Sequence, residues 1–298
     1  MIEAHCHRAR EAMGTRFEVF LSGRDGDLLE AVAVAVLEEI GRLGDVLSRY
    51  DPRSEVSRVN REAARAPVRV DREVFALLER CEEARRLTAG RFDVTVSGHR
   101  VGGHLASGDP AGGAAGEMPA LLLDAECCTV RFTRPGVAID LGGVGKGYAL
   151  DRGHEIMSRY GVTCGLLQGG TSSVLALGSP PGRAGSAGWP VAVRHPSAPE
   201  SAPVAVLDLA NRGLSCSAVR HPGQRRSDVV NPRTGRPLKG NAACVALAAG
   251  AAEAEIFSTA LLTMGRRQAT RYLAGRPGGG VDAGWFEPGG SFAWMSAA

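Results

Sequence analysis

The alternation of apolar and polar residues predicts several helices. In residues 28–47 the apolar side chains recur at helical spacing, at Leu28, Val32, Val36, Ile40, Leu43 and Leu47. The same pattern marks three further segments, which are residues 71–88, a helix from near Tyr148 to Gly161, and residues 251–264 with 266–275 as its extension.

Short runs with the pattern of β-strands occupy much of the remaining chain. They are residues 16–21, 121–123, 129–132, 137–141, 165–167, 173–177, 189–193, 204–209 and 244–247. Strands therefore neighbour strands more often than they alternate with helices. This order predicts an α+β fold, with mixed or antiparallel sheets and packed helices, rather than a doubly wound parallel sheet.

We expect one domain over residues 1–298, because no linker clearly divides the chain and no solenoid-type repeat is evident. Residues 102–116 are rich in Gly, Ala and Ser, which predicts a flexible surface insertion. Residues 277–298 contain Gly and Trp but little periodicity, and we expect them to form a tail.

Composition and charge exclude some classes of function. Hydrophobic residues make up 44% of the chain and charged residues 22%, as in ordinary globular proteins. A net charge of +3 is too small to indicate nucleic-acid binding. No apolar run reaches the length of a membrane span, and the N-terminus lacks the apolar stretch of a signal peptide. We therefore expect a cytoplasmic protein.

The cysteines and histidines offer little evidence of a metal or disulfide site. The seven cysteines form no CxxC pair, which favours free thiols in a reducing compartment. The segment His5-Cys6-His7 has the side chains of a transition-metal site, but a cluster so near a terminus is more often incidental and mobile.

The most informative segment for function is a glycine-rich loop at residues 139–151. It reads Ile-Asp-Leu-Gly-Gly-Val-Gly-Lys-Gly-Tyr-Ala-Leu-Asp and leads from a predicted strand into a predicted helix. Backbone N–H groups and a helix N-terminus in this arrangement favour an anion, and Lys146 adds a charge suited to phosphate. A tight turn that merely requires glycine is the alternative.

Two common phosphate-binding motifs do not fit this loop. In the P-loop pattern GxxxxGK[ST], Asp140 would occupy the first glycine position and Gly147 the hydroxyl position. The Rossmann pattern GxGxxG fails because the spacing of Gly143, Gly145 and Gly147 is wrong.

The loop resembles the signature of a known enzyme family. Residues 140–151 are similar to D-L-[GS]-[GA]-[IV]-[AG]-K-G-[YF]-A-x-D of the FAD:protein FMN transferases, the ApbE type. Further blocks follow in the family's order, namely Met13-Gly14-Thr15, residues 48–60, residues 90–95, Gly169-Gly170, Trp189 with His195-Pro196, residues 231–235 and residues 254–260. The resemblance covers roughly residues 12–266.

The resemblance implies a magnesium-dependent transfer reaction. A Thr or Ser hydroxyl of a target flavoprotein would attack the FMN phosphorus of FAD, with Mg²⁺ on the pyrophosphate and AMP as the leaving group. In such chemistry the protein mainly supplies positioning and charge neutralisation.

The resemblance also implies roles for twelve residues. FAD would be contacted by Met13, Tyr50, Arg91, Phe92, Asp93, Asp140, Lys146 and Val230. Mg²⁺ would be held by the carbonyl of Gly143 and the side chains of Glu255 and Thr259. The last two are one helical turn apart, so their oxygens can face one ion. The catalytic candidates are Asp228 and Lys146.

The sequence departs from the family pattern at several of these positions. The family's H-[IV]-[IL]-D-P-x-T-G reads Asp228-Val229-Val230-Asn231-Pro232-Arg233-Thr234-Gly235, so Asp228 replaces a histidine and Asn231 an aspartate. Glu255 stands for Asp, Cys216-Ser217-Ala218 for T-S-G, and residues 171–173 lack the acidic or amide residue often found there.

These departures leave other functions open. A diverged relative could bind FAD without transferring FMN, or hydrolyse FAD to FMN and AMP. A nucleotide-binding regulator without catalysis is a third class.

Overall fold

The fold is built on an eight-stranded antiparallel sheet. The computed structural model describes residues 4–95, 100–101, 104–105, 120–180, 187–220, 223–276, 280–287 and 291–295. The strands of this sheet, in spatial order and numbered along the chain, are β1 (Ala4–Ala12), β2 (Thr15–Gly23), β8 (Gly165–Gly169), β9 (Ser173–Leu177), β12 (Arg212–Ala218), β15 (Ala243–Ala248), β16 (Asp282–Phe286) and β17 (Phe292–Met295).

Four small antiparallel sheets accompany the main sheet in the described residues. They are β3 (Val68–Arg69) with β7 (Thr129–Phe132) and β6 (Leu121–Asp124); β4 (Arg100–Val101) with β5 (His104–Leu105); β10 (Trp189–Val193) with β11 (Ala205–Leu209); and β13 (Val230–Asn231) with β14 (Arg236–Pro237).

The described helices differ in how their first turns are capped. They are α1 (Gly26–Leu47), α2 (Glu55–Glu62), α3 (Arg72–Leu87), α4 (Gly145–Arg159), α5 (Ala251–Met264) and α6 (Arg266–Ala274). The first three follow a side-chain N-cap, at Asp25, Ser54 and Asp71 respectively, whose oxygen accepts a hydrogen bond from a first-turn N–H. Helices α4 and α5 have no such local cap, and each instead receives a carboxylate from the other helix.

The central strands of the main sheet are buried on both faces, and their successive side chains join different apolar clusters. Leu167 and Leu175 belong to the cluster that contains α1 and α4. Their chain neighbours Leu166 and Val174 belong to a cluster on the opposite face, with Val191 and other residues of the β10–β11 hairpin. Successive side chains of a strand point to opposite faces, so this division follows directly from the pleat.

Helices α4 and α5 meet at their N-termini. Asp151 of α4 accepts hydrogen bonds from the backbone N–H groups of Ala251 (2.7 Å) and Ala252 (3.2 Å). In return, Glu255 of α5 accepts a hydrogen bond from the N–H of Gly147 (2.8 Å). Each helix thereby caps the other, and each carboxylate lies at the positive end of the opposite helix.

The predicted α+β fold is confirmed. Each predicted helix is present, although the one predicted from near Tyr148 begins three residues earlier, at Gly145. No described helix has the length and apolar character needed to cross a membrane. The predicted insertion at residues 102–116 lies outside the described residues except at His104–Leu105.

Two predictions about local structure are wrong. The predicted strand at residues 137–141 is irregular, because its polar backbone groups bond elsewhere: the amide side chain of Asn60 bonds both N–H (2.7 Å) and C=O (2.9 Å) of Ile139. The predicted tail contains β16 and β17, the last two strands of the main sheet. These short strands form because β16 pairs with β15 and β17 pairs in turn with β16, which local periodicity does not show.

The contact between the two helix N-termini predicts a large cost for Gly147→Ala. A Cβ at residue 147 would lie 2.4 Å from the carbonyl oxygen of Ala251, which is backbone and has little room to move. We expect about 1–3 kcal/mol of destabilisation, as for other overpacked sites, measured by urea unfolding. Gly145→Ala is the matched control, because its Cβ would meet nothing within 4 Å. Equal stability of the two variants would contradict the close approach.

Candidate functional site

All twelve residues with predicted roles line one cleft of about 460 Å³. They come from distant parts of the chain and are Met13, Tyr50, Arg91, Phe92, Asp93, Asp140, Gly143, Lys146, Asp228, Val230, Glu255 and Thr259. The volume lies within the usual range of small-molecule pockets. The fold therefore brings the predicted set together, although it does not by itself assign their roles.

The glycine-rich loop forms one wall of the cleft, and one of its own side chains, Asp140, stabilises its conformation. One carboxylate oxygen of Asp140 accepts a hydrogen bond from the N–H of Gly142 (2.9 Å), which closes a tight turn. The other carboxylate oxygen pairs with Nη1 of Arg49 (3.1 Å). Asp140 thus shapes the loop and also orients an arginine.

A buried carboxylate lies where the loop enters α4. Glu255 is only 3% exposed. Its Oε1 pairs with Nζ of Lys146 (2.8 Å) and accepts a hydrogen bond from Oγ of Ser173 (2.5 Å). Its Oε2 accepts the bond from the N–H of Gly147. Burial of a carboxylate is costly unless it is paired and hydrogen-bonded, and here both conditions are met. We call these four residues the Glu255 cradle.

Oxygen atoms gather next to the Glu255 cradle. The hydroxyl of Thr259, one turn along α5 from Glu255, lies 3.0 Å from Oγ of Ser217. A Cβ placed on Gly143 would lie 3.7 Å from Oγ1 of Thr259, so the loop backbone adjoins this hydroxyl. Among the described residues, no three His, Cys, Asp or Glu side chains group closely enough to hold a metal ion unaided.

A second wall of the cleft is tied to α5 and α6. The guanidinium of Arg91 donates to the carbonyl of Thr263 (3.2 Å) and to Oε1 of Gln268 (2.6 Å). The ring of Phe92 is buried. Oδ1 of Asp93 accepts hydrogen bonds from the N–H (2.8 Å) and hydroxyl (2.7 Å) of Thr95. These bonds hold the predicted Arg-Phe-Asp segment against the cleft.

The mouth of the cleft carries an exposed aromatic ring. Tyr50 is 82% exposed, and the guanidinium carbon of Arg49 lies 4.9 Å from the centre of its ring. On the other side, Oδ2 of Asp228 accepts a hydrogen bond from Nε2 of Gln224 (2.7 Å). Val230, on β13, is buried.

Comparison with known proteins places this arrangement in a family. The model of the ApbE family matches residues 13–283. The chain belongs to the ApbE family.

Its relatives are proteins named FAD:protein FMN transferase. One from Klebsiella pneumoniae (strain 342) is 26% identical over 251 residues, which cover 79% of this chain and 76% of the relative. One from Salmonella typhimurium (strain LT2) is 27% identical over 278 residues, covering 87% and 78%.

Solved ApbE structures share the fold. The ApbE protein of Thermotoga maritima superposes with a TM-score of 0.81 at 22% identity, covering 97% of this chain and 96% of that one. The flavin transferase ApbE of Vibrio cholerae gives 0.80 at 18% identity, covering 99% and 98%. At these identities the likeness supports the fold alone.

Several departures from the ApbE pattern line the same cleft. Asp228 and Glu255 line it directly, and so does Cys216. Burial raises the pKa of the Cys216 thiol to about 12, so the thiol is protonated near neutral pH. This favours the interpretation of Cys216 as a small packing residue over a reactive nucleophile.

Two residues of the cleft region were missed by sequence reasoning. Ser173 is fully buried on β9 and bonds Glu255 from across 82 residues of chain. Two signals were available, a polar residue within a buried-strand pattern and its place in the departure at residues 171–173, but neither assigned it a role. Arg49 lies inside the ApbE-like block at residues 48–60, but the resemblance implied no role for it.

The Glu255 cradle predicts unequal effects for two buried serines. Ser173→Ala removes a donor to a buried carboxylate, which costs about 1.5–3 kcal/mol of stability for a charged hydrogen bond. Ser215→Ala, the control, removes only a neutral partner of Ser258 (3.2 Å) and should cost about 0.5–1.5 kcal/mol. Urea unfolding of both variants measures the difference. A larger loss for Ser215→Ala would argue against the cradle.

Proposed function

We propose that this protein is an FAD:protein FMN transferase that moves FMN from FAD to a Thr or Ser hydroxyl of a target flavoprotein and releases AMP. The observation that carries the proposal is the convergence of all twelve signature residues on one cleft of suitable volume. The names of the relatives support the same reaction.

The excess of carboxylates over cationic side chains in the cleft supports a magnesium requirement for FAD binding. Its described lining contains three cationic side chains, of Arg49, Arg91 and Lys146, and four carboxylates, of Asp93, Asp140, Asp228 and Glu255. A pyrophosphate carries further negative charge. Without an added cation, a dianion entering this cleft would meet net repulsion.

The candidate metal ligands fit Mg²⁺ in kind. The Gly143 carbonyl, the Glu255 carboxylate and the Thr259 hydroxyl are all oxygen donors with one carboxylate among them, and Mg²⁺ prefers few protein ligands supplemented by phosphate oxygens. The ion would neutralise charge on the phosphate oxygens during transfer. These ligands alone are too few for the ion, which agrees with binding together with FAD.

The protein groups have distinct parts in the proposed transfer. Lys146 holds phosphate oxygens. Asp228, held by Gln224, accepts the proton of the attacking hydroxyl as its oxygen bonds to the FMN phosphorus. The bond between that phosphorus and the bridging oxygen breaks, and AMP leaves with the electron pair. The flavin remains covalently attached to the acceptor through a phosphate ester.

Asp228 also supports a second candidate function. A carboxylate in this place can accept a proton from water as readily as from a protein hydroxyl, which would give hydrolysis of FAD to FMN and AMP. A protein that binds FAD without releasing AMP is the remaining alternative.

AMP release measured by chromatography tests the proposal. We expect AMP from FAD and Mg²⁺ only when a candidate acceptor flavoprotein is present, together with a fluorescent acceptor on a denaturing gel. Chelation of Mg²⁺ should abolish both signals. AMP without an acceptor would indicate hydrolysis, and FAD binding with no AMP in any mixture would refute both catalytic functions.

Two variants test the assigned site. Lys146→Ala and Thr259→Ala should each lower the rate of AMP release by about tenfold or more, because each removes a group that stabilises phosphate charge in the transition state. Lys239→Ala is the matched control, since Lys239 is exposed and lies outside the lining of the cleft. Unchanged rates in the first two variants would show that the site is assigned wrongly.

A further inference from the structure

Several contacts hold the side chain of Arg49 at the mouth of the cleft. It lies between α1 and α2 with its side chain only 22% exposed. Its Nη1 is 3.1 Å from Oδ2 of Asp140, and its Nη2 donates to the hydroxyl of Tyr50 (3.0 Å). The guanidinium also lies over the Tyr50 ring. An arginine with this many contacts has a defined orientation.

The other two cations of the cleft lining are engaged by protein groups. Lys146 pairs with the buried carboxylate of Glu255. Arg91 donates to Thr263 and Gln268, and burial lowers the pKa of its guanidinium. Arg49 is paired as well, with Asp140, but this pair is partly open to solvent, with the two side chains 22% and 23% exposed.

Arg49 also lies within the electrostatic influence of Asp228. The pKa of the Arg49 guanidinium is raised overall: burial opposes the shift, while the charges of Asp140 and Asp228 and the Tyr50 contact favour the cation. Asp228 is the carboxylate that replaces the family's histidine. A carboxylate here would repel an entering phosphate, and Arg49 is a cation that lines the same cleft.

We propose that Arg49 is a phosphate-binding residue of this cleft, oriented by Asp140 and Tyr50, whose guanidinium contacts the pyrophosphate of FAD and offsets the charge of Asp228. The proposal rests on the proposed binding of FAD. The planar fork of a guanidinium suits two phosphate oxygens at once, which a lysine ammonium does not reproduce. In this role Asp140 contributes to FAD binding partly by holding the guanidinium of Arg49 in place.

Ligands with and without phosphate test this role. FAD, ADP and riboflavin are titrated into the wild type and into Arg49→Gln, by flavin fluorescence or by calorimetry. We expect the variant to bind FAD and ADP about tenfold more weakly, or about 1.4 kcal/mol, while the affinity for riboflavin changes less than about twofold. Arg53→Gln is the control, because Arg53 is 88% exposed, pairs with Asp51 and does not line the cleft.

The outcomes separate this inference from the proposed function. If the wild type binds no FAD, the proposed function fails and the role of Arg49 fails with it. If the wild type binds FAD and Arg49→Gln binds FAD and ADP equally well, only the role of Arg49 is refuted. An equal loss for riboflavin would place the effect on the flavin ring through Tyr50, and would also overturn the proposal.

Two further variants keep the test valid if Arg49→Gln folds poorly. Arg49→Lys retains the charge but not the fork, and should lose about threefold to tenfold in affinity for ADP. Adding Asp228→Asn to Arg49→Gln removes the repelling carboxylate and should restore part of the lost affinity. Wild-type affinity in Arg49→Lys, or no restoration in the double variant, would count against the proposal.

Discussion

The mutual capping of α4 and α5 is the contact on which the site depends. A helix leaves its first N–H groups without internal partners. Here the two helices satisfy part of that requirement with carboxylates from each other, Asp151 serving α5 and Glu255 serving α4. The exchange requires close approach of the two N-termini, and Gly147 permits it because no side chain stands between them. This contact places the glycine-rich loop in the wall of the cleft.

The same contact determines much of the electrostatics. Burial of Glu255 is tolerable because Lys146, Ser173 and the N-terminus of α4 surround its carboxylate. Lys146 is consequently shared between two tasks, stabilising this carboxylate and, in the proposed function, holding phosphate. Because glutamate is one methylene longer than the family's aspartate, its carboxylate lies farther from its own helix. This length is consistent with a carboxylate engaged by the N-terminus of α4.

Local sequence pattern failed to predict the structure where backbone groups form hydrogen bonds with residues that are distant along the chain. Helix α1 was predictable because its apolar stripe is long and periodic. Residues 137–141 have the same composition as a strand, but the side chain of Asn60 and the carbonyl of Val94 take their polar groups instead. Strands β16 and β17 have little pattern of their own and form because β16 pairs with the edge of β15 and β17 pairs with β16.

The chain's own residues determined the helices, the α+β class, the ApbE signature and the twelve candidates for the site, since each depends on local spacing or on an ordered set of motifs. Tertiary structure alone decided that Ser173 joins Lys146 and Gly147 around Glu255, and that Arg49 meets Asp140. Those contacts join residues 82 to 109 positions apart for Glu255 and 91 apart for Arg49. Partners so distant become neighbours only when the sheet and the two capped helices are assembled.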